Sequence, residues 1–215
     1  MFFALFLVIF ACISKEAWSC RCALRHPQSA YCNSDVVIRA KFVGQTLHTT
    51  SDGTATLVKY EIKTIKIFKA PAGIQDIQFL YTPQMDSLCG YSHHSTNKSE
   101  EFAVTGFVMN DRVHINLCGF ITPWASLSPY QKKGFQQLYK ENCQCQIIPC
   151  YSVPCETENN KQCLWTDLVM KQILKNNEGP QSSKLLCVEN NDGFCVWESM
   201  KSRLYTTVSK LSRSQ

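Results

Sequence analysis

Apolar and polar residues are patterned in two ways along this chain: alternating runs as far as Leu138, and short scattered patches among cysteines after Gln144. Asp35 to Gly44 (DVVIRAKFVG) is rich in β-branched residues and predicts a strand ending at Gly44. Thr46 to Thr56 is polar, with Ser51-Asp52-Gly53 as a turn signal, and reads as an exposed hairpin loop. Val58, Tyr60 and Ile62 alternate, and Ile65 and Ile67 then alternate in the opposite phase. That slip predicts a β-bulge or sharp coil, as closed barrels need.

Ile77, Phe79 and Tyr81 give the next alternating strand, stopped by Pro83. Phe102–Val108 and Val113–Leu117 give two more, with Asn110-Asp111 as the turn between them. Five or so strands with glycine-marked breaks point to a small antiparallel barrel. Ser128 then caps a helix with Pro129 at its first position, and Tyr130, Phe135, Leu138 and Tyr139 form its apolar face. Upstream, His26-Pro27-Gln28 reads as a turn whose far side Cys32 anchors.

The apolar run Phe2–Ile13 has another meaning. A dozen residues is too short to cross a bilayer but matches a signal-peptide core. Ala17 and Ser19 supply small residues at −3 and −1 of a cut before Cys20, so residues 1–19 are read as a leader and the mature protein as secreted to the extracellular space. No later run approaches the length of a membrane span.

One of the thirteen cysteines, Cys12, lies in the leader, which leaves an even number. Even, dense cysteine in a secreted chain reads as a disulfide framework. Cys145, Cys150, Cys155, Cys163, Cys187 and Cys195 crowd the last third. There a short helix from Thr166 or Asp167 to Leu174 and a loop from Asn176 to Ser183 are expected, in a module held mostly by its disulfides. The domains are therefore read as 20–143 and 144–215, with a basic, fraying tail from Lys201. The net charge of +5 favours weak contact with acidic matrix polysaccharide or cell surfaces.

Enzyme classes fall away. Cys20-Arg21-Cys22 and Cys143-Gln144-Cys145 are not redox C-x-x-C motifs, and no H-E-x-x-H, G-x-S-x-G or phosphate-binding glycine loop occurs. His93-His94, on a polar loop near the glycosylation sequon Asn97-Lys98-Ser99, reads as solvated rather than metal-binding. The positive charge is scattered without an aromatic stacking platform, which argues against nucleic acid.

Cys20-Arg21-Cys22, His26-Pro27-Gln28, Cys32-Asn33-Ser34-Asp35-Val36-Val37-Ile38-Arg39-Ala40-Lys41, Tyr60-Glu61-Ile62-Lys63 and Tyr81-Thr82-Pro83 closely resemble the tissue inhibitors of metalloproteinases. So do Cys89-Gly90-Tyr91, Glu100-Glu101-Phe102, Pro123-Trp124, Ser126-Leu127-Ser128 and Cys163-Leu164-Trp165-Thr166-Asp167. Phe42-Val43-Gly44, the Asn97 sequon and Leu164-Trp165-Thr166-Asp167 look most like the family's type-1 branch, although the single residue between Cys143 and Cys145 is a spacing of other members.

The resemblance implies a mainly β chain: a netrin-like five-stranded OB barrel and a small disulfide-rich C-terminal domain. It implies the pairs Cys20–Cys89, Cys22–Cys118, Cys32–Cys143, Cys145–Cys195, Cys150–Cys155 and Cys163–Cys187, which sequence alone could not choose among roughly ten thousand. It implies an inhibitor of matrix metalloproteinases (collagenases, gelatinases, stromelysins) and of related disintegrin-type proteases, with no cofactor of its own. The α-amine and carbonyl of Cys20 would bind the target's zinc. Arg21 would enter the S1′ pocket, with Cys22, Ala23 and Leu24 on the primed side and Asp86, Ser87 and Leu88 on the unprimed side.

Arg21 departs from the Thr or Ser usual in the family. A guanidinium in an apolar pocket is costly to desolvate, so a narrower spectrum favouring deep or acidic pockets is expected. Val37, Ile38, Trp124 and Trp165 are assigned to packing. Further expectations are a monomer, a docking role for the C-terminal domain on a pro-gelatinase, and a cell-surface receptor. The competing readings are a netrin-like module that inhibits nothing and a cytokine-like ligand.

Overall fold

The computed structural model describes residues 20–49, 53, 56–174 and 179–201. The expected leader and most of the basic tail lie outside the described residues. The elements run α1 (Pro27–Cys32), β1 (Val36–Thr49), β2 (Thr56–Lys69), β3 (Phe79–Pro83), β4 (Phe102–Met109), β5 (Arg112–His114) and β6 (Ile121–Pro123). Then come α2 (Pro129–Lys133), β7 (Gln146–Pro149), β8 (Gln162–Trp165), α3 (Asp167–Leu174), α4 (Pro180–Lys184), β9 (Leu185–Glu189) and β10 (Cys195–Ser199).

β1, β2, β3, β5 and β4 pair in that order, and β4 pairs back to β1, closing a five-stranded OB-like barrel; β6 adds to β4 outside the ring. Closure depends on bulges. Arg39 faces Lys66 but Ala40 faces Thr64, so Ile65 is the extra residue, at the point where the apolar phase slips. Tyr60 and Ile62 face the interior before it, Ile67 packs on the same core after it, and Ile65 itself is 40% exposed.

Three strand expectations are corrected. β1 does not end at Gly44 but runs to Thr49, and the polar stretch pairs as Thr46–Thr49 with Thr56–Lys59. Gly44 follows the third register shift of the β1–β2 pairing and leaves room for the Glu61 carboxylate, so it bends the strand and does not stop it. In β3 the buried residues are Leu80 and Thr82, while Phe79 and Tyr81 lie on the outer face. The aromatics mislead because cations cover them: Lys59 Nζ is 3.7 Å from the Phe79 ring centre and the Arg112 guanidinium 5.1 Å from that of Tyr81. β5 stops at His114, and Ile115 is buried beyond it.

A second apolar cluster covers the outside of the barrel. Ser128 and Gln131 form a full capping box for α2, which continues through a π-helical turn (Gly134–Leu138) and a 3₁₀ turn (Lys140–Asn142). Phe135, Leu138 and Tyr139 from this segment pack with Tyr31, Val37, Trp124 and with Leu186, Val188 and Met200. That cluster draws from both sides of Cys143–Cys145.

The expected turn at His26-Pro27-Gln28 is the start of α1, with Pro27 at its first position and His26 as its cap. The expected loop Asn176–Ser183 contains α4. Its cap is hidden from the local sequence because it comes from far away: Asp167 accepts from the backbone N–H of Gln181 at 3.2 Å and of Ser182 at 2.8 Å. Beyond Cys145 the strands form two two-stranded sheets, β7 parallel to β8 and β9 antiparallel to β10. The six disulfides are Cys20–Cys89, Cys22–Cys118, Cys32–Cys143, Cys145–Cys195, Cys150–Cys155 and Cys163–Cys187, the same pairs that the family resemblance implies.

Candidate functional site

Residues 20–25 form no regular element and lie at the surface, with Cys20 half-buried and Arg21, Cys22, Ala23, Leu24 and Arg25 exposed. Three anchors fix this short segment. Cys20 is bonded to Cys89 and Cys22 to Cys118, with Cα separations of 5.2 and 5.0 Å. The two bridges lie side by side, the Cys20 and Cys118 sulfurs being 3.7 Å apart. The loops behind them are joined as well, because Leu117 N–H donates to the Cys89 carbonyl at 2.8 Å. Fixing both ends of a tripeptide in this way removes most of its backbone freedom before any partner arrives.

The third anchor is His26, which is 1% exposed. Its Nδ1 accepts from Gln28 N–H at 3.2 Å, so Nε2 carries the proton and donates to the Gln181 carbonyl at 3.1 Å. The ring sits 5.4 Å from both Trp165 and Trp197. Burial lowers its pKa to about 4, against the opposing pull of the Gln181 carbonyl and the Asp167 charge. Gln28 adds a fully satisfied buried amide, donating to the Asn142 and Cys187 carbonyls and accepting from Cys187 N–H.

Asp86, Ser87 and Leu88 form a 3₁₀ turn beside the first bridge, all exposed. Leu88 and Gly90 both donate backbone N–H groups to the Met85 carbonyl. Cys89 adopts a left-handed backbone with φ of 58°, and a Cβ at Gly90 would run into the Pro83 carbonyl oxygen. So the Cys89-Gly90 pair is what folds this loop back toward Cys20.

Cys20, Arg21, Cys22, Ala23 and Leu24 thus follow one another along the surface segment. The Cys20–Cys89 bond sets the first of them beside the Asp86–Leu88 turn, where two further residues that the sequence does not single out are exposed. Met85 and Leu117 are 58% and 50% exposed, and Leu88 in the same loop as Met85 is 56% exposed. Leu117 reads in sequence as the end of a strand; its position next to half-cystine Cys118, like that of Leu88 next to Cys89, is the available signal. Three exposed large apolar side chains, Met85, Leu88 and Leu117, beside two adjacent disulfides make a surface suited to a protein partner.

The chemistry open to this ridge is narrow. The sulfurs of Cys20, Cys22 and Cys118 lie close together, as do those of Cys145, Cys187 and Cys195, but all six are in disulfides and offer no thiolate. Cys20 therefore has only main-chain nitrogen and oxygen to present to a metal. His94 is exposed, but His93 is not simply solvated: it stacks on Phe42 at 4.1 Å and its Nδ1 is 3.0 Å from the Tyr91 hydroxyl. Burial lowers its pKa. Asn97 is exposed in a turn in which its Oδ1 accepts from Ser99 N–H. Val37, Ile38, Trp124 and Trp165 are all buried, as expected of packing residues.

A family model described as tissue inhibitor of metalloproteinase matches residues 18–197. Similar proteins include metalloproteinase inhibitor 2 of Homo sapiens, 39% identical over 90% of this chain and 88% of that protein. Metalloproteinase inhibitor 4 of Mus musculus is 40% identical over 83% and 80%, and metalloproteinase inhibitor 3 of Scyliorhinus torazame 37% over 86% and 83%. On fold, disulfide pairing and sequence together, this chain belongs to the tissue inhibitor of metalloproteinase family.

Proposed function

We propose that this chain is a secreted inhibitor of metalloproteinases, not an enzyme, and that it caps the target's catalytic zinc with the α-amine and carbonyl oxygen of Cys20 once residues 1–19 are removed. A catalytic zinc keeps one position open for water. A five-membered chelate from one residue's nitrogen and oxygen suits that position, provided the amine is free and unprotonated. A free terminus titrates near about 7.7–8.0, and zinc draws the proton off further. The observation that carries this reading is the pair of adjacent disulfides at Cys20 and Cys22 on an exposed edge: the chelating group is held before it binds, so little entropy is lost on association.

In this reading Arg21 enters the S1′ pocket, Cys22, Ala23 and Leu24 follow the primed side, and Asp86, Ser87 and Leu88 take the unprimed side. Residues 20–143 are the inhibitory unit and 144–215 a second module that can dock a pro-gelatinase. The targets are matrix metalloproteinases and related disintegrin-type enzymes. The type-1 likeness of Phe42-Val43-Gly44 and the Asn97 sequon stays our proposal for the branch; the similar identities to types 2, 3 and 4 add nothing to it.

One titration tests the mechanism. A panel of collagenases, gelatinases and stromelysins is inhibited by the mature protein, by a form with one extra N-terminal Ala, and by Arg21→Thr. The added residue turns the amine into an amide, and inhibition weakens by about a thousandfold, roughly 4 kcal/mol. Equal inhibition by both forms refutes chelation. Arg21→Thr tightens binding to enzymes with apolar S1′ pockets by about tenfold, the desolvation cost of the guanidinium being removed. No gain on any enzyme removes Arg21 from the specificity account.

A further inference from the structure

We propose that the cavity beside the Cys20 ridge is a subsite for a basic side chain of the bound metalloproteinase, received between Asp86 and Glu100. This assignment rests on the inhibitory reading of the ridge, since its occupant arrives with the protease that the ridge engages. The cavity has a volume of about 560 Å³. It is continuous with the ridge, because Asp86 and Leu117 line the one and are exposed on the other. A side chain reaching past the 86–88 turn would therefore find it without any rearrangement of the turn.

The two carboxylates are uncompensated. Glu101, the next residue along, is held by both Arg39 and Lys41, whereas Glu100 and Asp86 have no ion-pair partner among the described residues. None of the described residues lining the cavity is Lys or Arg. His93, which also lines it, adds no charge at neutral pH, because burial lowers its pKa below the ordinary 6.5. In a chain of net charge +5, the cavity thus carries a local field opposite in sign to that of the whole molecule.

The wall is fixed before anything enters. The Tyr60 hydroxyl donates to the Tyr91 carbonyl and accepts from His93 N–H, both at 3.0 Å, and Tyr91 N–H donates to Thr82 Oγ1 at 2.9 Å. Ser95 Oγ donates to Glu100 Oε2 at 2.5 Å, which holds the carboxylate in place and leaves Oε1 without a partner among the described residues. A metal ion is a poor occupant. Among the described residues, the only trios of His, Cys, Asp or Glu close enough to share one consist of disulfide sulfurs. A cation on a hydrocarbon stem fits better: Tyr91 and Phe102 give the stem an apolar wall while the charged end reaches the carboxylates. Arginine suits this best, because a planar guanidinium can lie on an aromatic ring and still offer separate donors to two carboxylates.

The test has two arms. In the first, the full mature chain is titrated with N-acetyl-arginine amide and with its uncharged analogue N-acetyl-citrulline amide, and amide NMR shifts are followed. The arginine probe should move the amides of 90–95 and Glu100, the citrulline probe should not, and Glu100→Gln should abolish the response. The form with one extra N-terminal Ala should bind the probe as the mature chain does, so this arm stands or falls apart from chelation. In the second, the protease panel is inhibited by the parent, by Glu100→Gln and by Glu141→Gln, an equal charge change at an exposed site elsewhere. Glutamine can still accept the Ser95 bond, so the thermal midpoint should hold. Glu100→Gln should weaken inhibition of at least one enzyme by about fivefold at low salt, a loss that fades toward about 0.5 M salt, while the control stays within about twofold. Equal shifts from the two probes, or no loss of inhibition on any enzyme, would overturn the assignment.

Discussion

Twelve buried side chains, from Val36 to Ile115, fill the barrel interior, and none of them is a cysteine. Beyond Gln144, by contrast, one buried cluster consists of four half-cystines, Cys145, Cys163, Cys187 and Cys195, with Ile147 and Trp197 against it. Three more of that half's buried apolar residues, Leu186, Val188 and Met200, pack with the α2 segment and with Tyr31, Val37 and Trp124 outside the barrel. The first region has a core of its own. The second has cross-links and a neighbour. Proximity of residues distant in sequence is thus secured by strand pairing in one case and by covalent bonds plus docking in the other. The candidate inhibitory segment lies between them, tied by disulfides to the barrel loops and by His26 to the cysteine-rich half.

The largest expected effect follows from removing Cys163–Cys187, as Cys163→Ala/Cys187→Ala. The bridge spans 24 residues, and the chain-entropy model puts its loss at about 3–4 kcal/mol, before counting the packing of two buried sulfurs. Amide hydrogen exchange should show β7, β8, β9 and β10 losing protection while β1, β2 and β4 keep theirs. If the barrel strands lose protection to the same extent, the halves are one cooperative unit and the contrast between them is wrong.

The same contrast decides what is legible in the residues. β2 is visible because alternation records the face it buries, and even the Ile65 bulge is written as a phase slip between Ile62 and Ile67; in β3 the aromatic alternation marks the outer face instead. The helix start at Ser128-Pro129 is visible because cap and first turn are adjacent in sequence. α4 is not, since its cap, Asp167, lies thirteen residues before Pro180. Nor is the parallel pairing of Gln146–Pro149 with Gln162–Trp165, four-residue strands with too little alternation to read. At the site, the cysteines mark the ridge, but which cysteine meets which comes only through family resemblance. Met85 and Leu117 escape a reading of the chain because exposure of an apolar residue is a property of the fold and not of its neighbours in sequence.

A somewhat smaller effect is expected from acid, acting where the halves meet. His26 has a folded pKa of about 4, below its ordinary 6.5, so between those values the unfolded chain binds a proton that the folded one refuses. Stability is therefore full above pH 6.5 and falls as pH drops toward 4, by about 3 kcal/mol for this one group. Burial also lowers the pKa of His93 and His114, and they act in the same sense, so the His26 share is read by difference. Urea midpoints followed by tryptophan fluorescence, with Trp165 and Trp197 flanking the ring, should fall more steeply with acid in the parent than in His26→Asn. Parallel curves would mean that His26 accepts its proton without breaking the contact.

The smallest effect concerns a single hydroxyl that serves both regions. Ser128 Oγ accepts from Gln131 N–H at 3.1 Å, capping α2, and donates to the Ser183 carbonyl at 2.7 Å, at the end of α4. Gln131 repeats the link, donating through Nε2 to the Ser182 carbonyl. Ser128→Ala removes the cap, worth about 1 kcal/mol, and also leaves the part-buried Ser183 carbonyl without that donor. Ser128→Thr keeps both bonds and should stay close to the parent. For Ala, exchange should rise at the amides of Tyr130 and Gln131 and also at 181–184, on the other side of the interface. A rise confined to α2 would mean that the hydroxyl only caps its own helix. A rise at both would show that the cysteine-rich half takes part of its order from the segment that covers the barrel, which is how a region with so little core of its own can hold the root of an inhibitory edge in place.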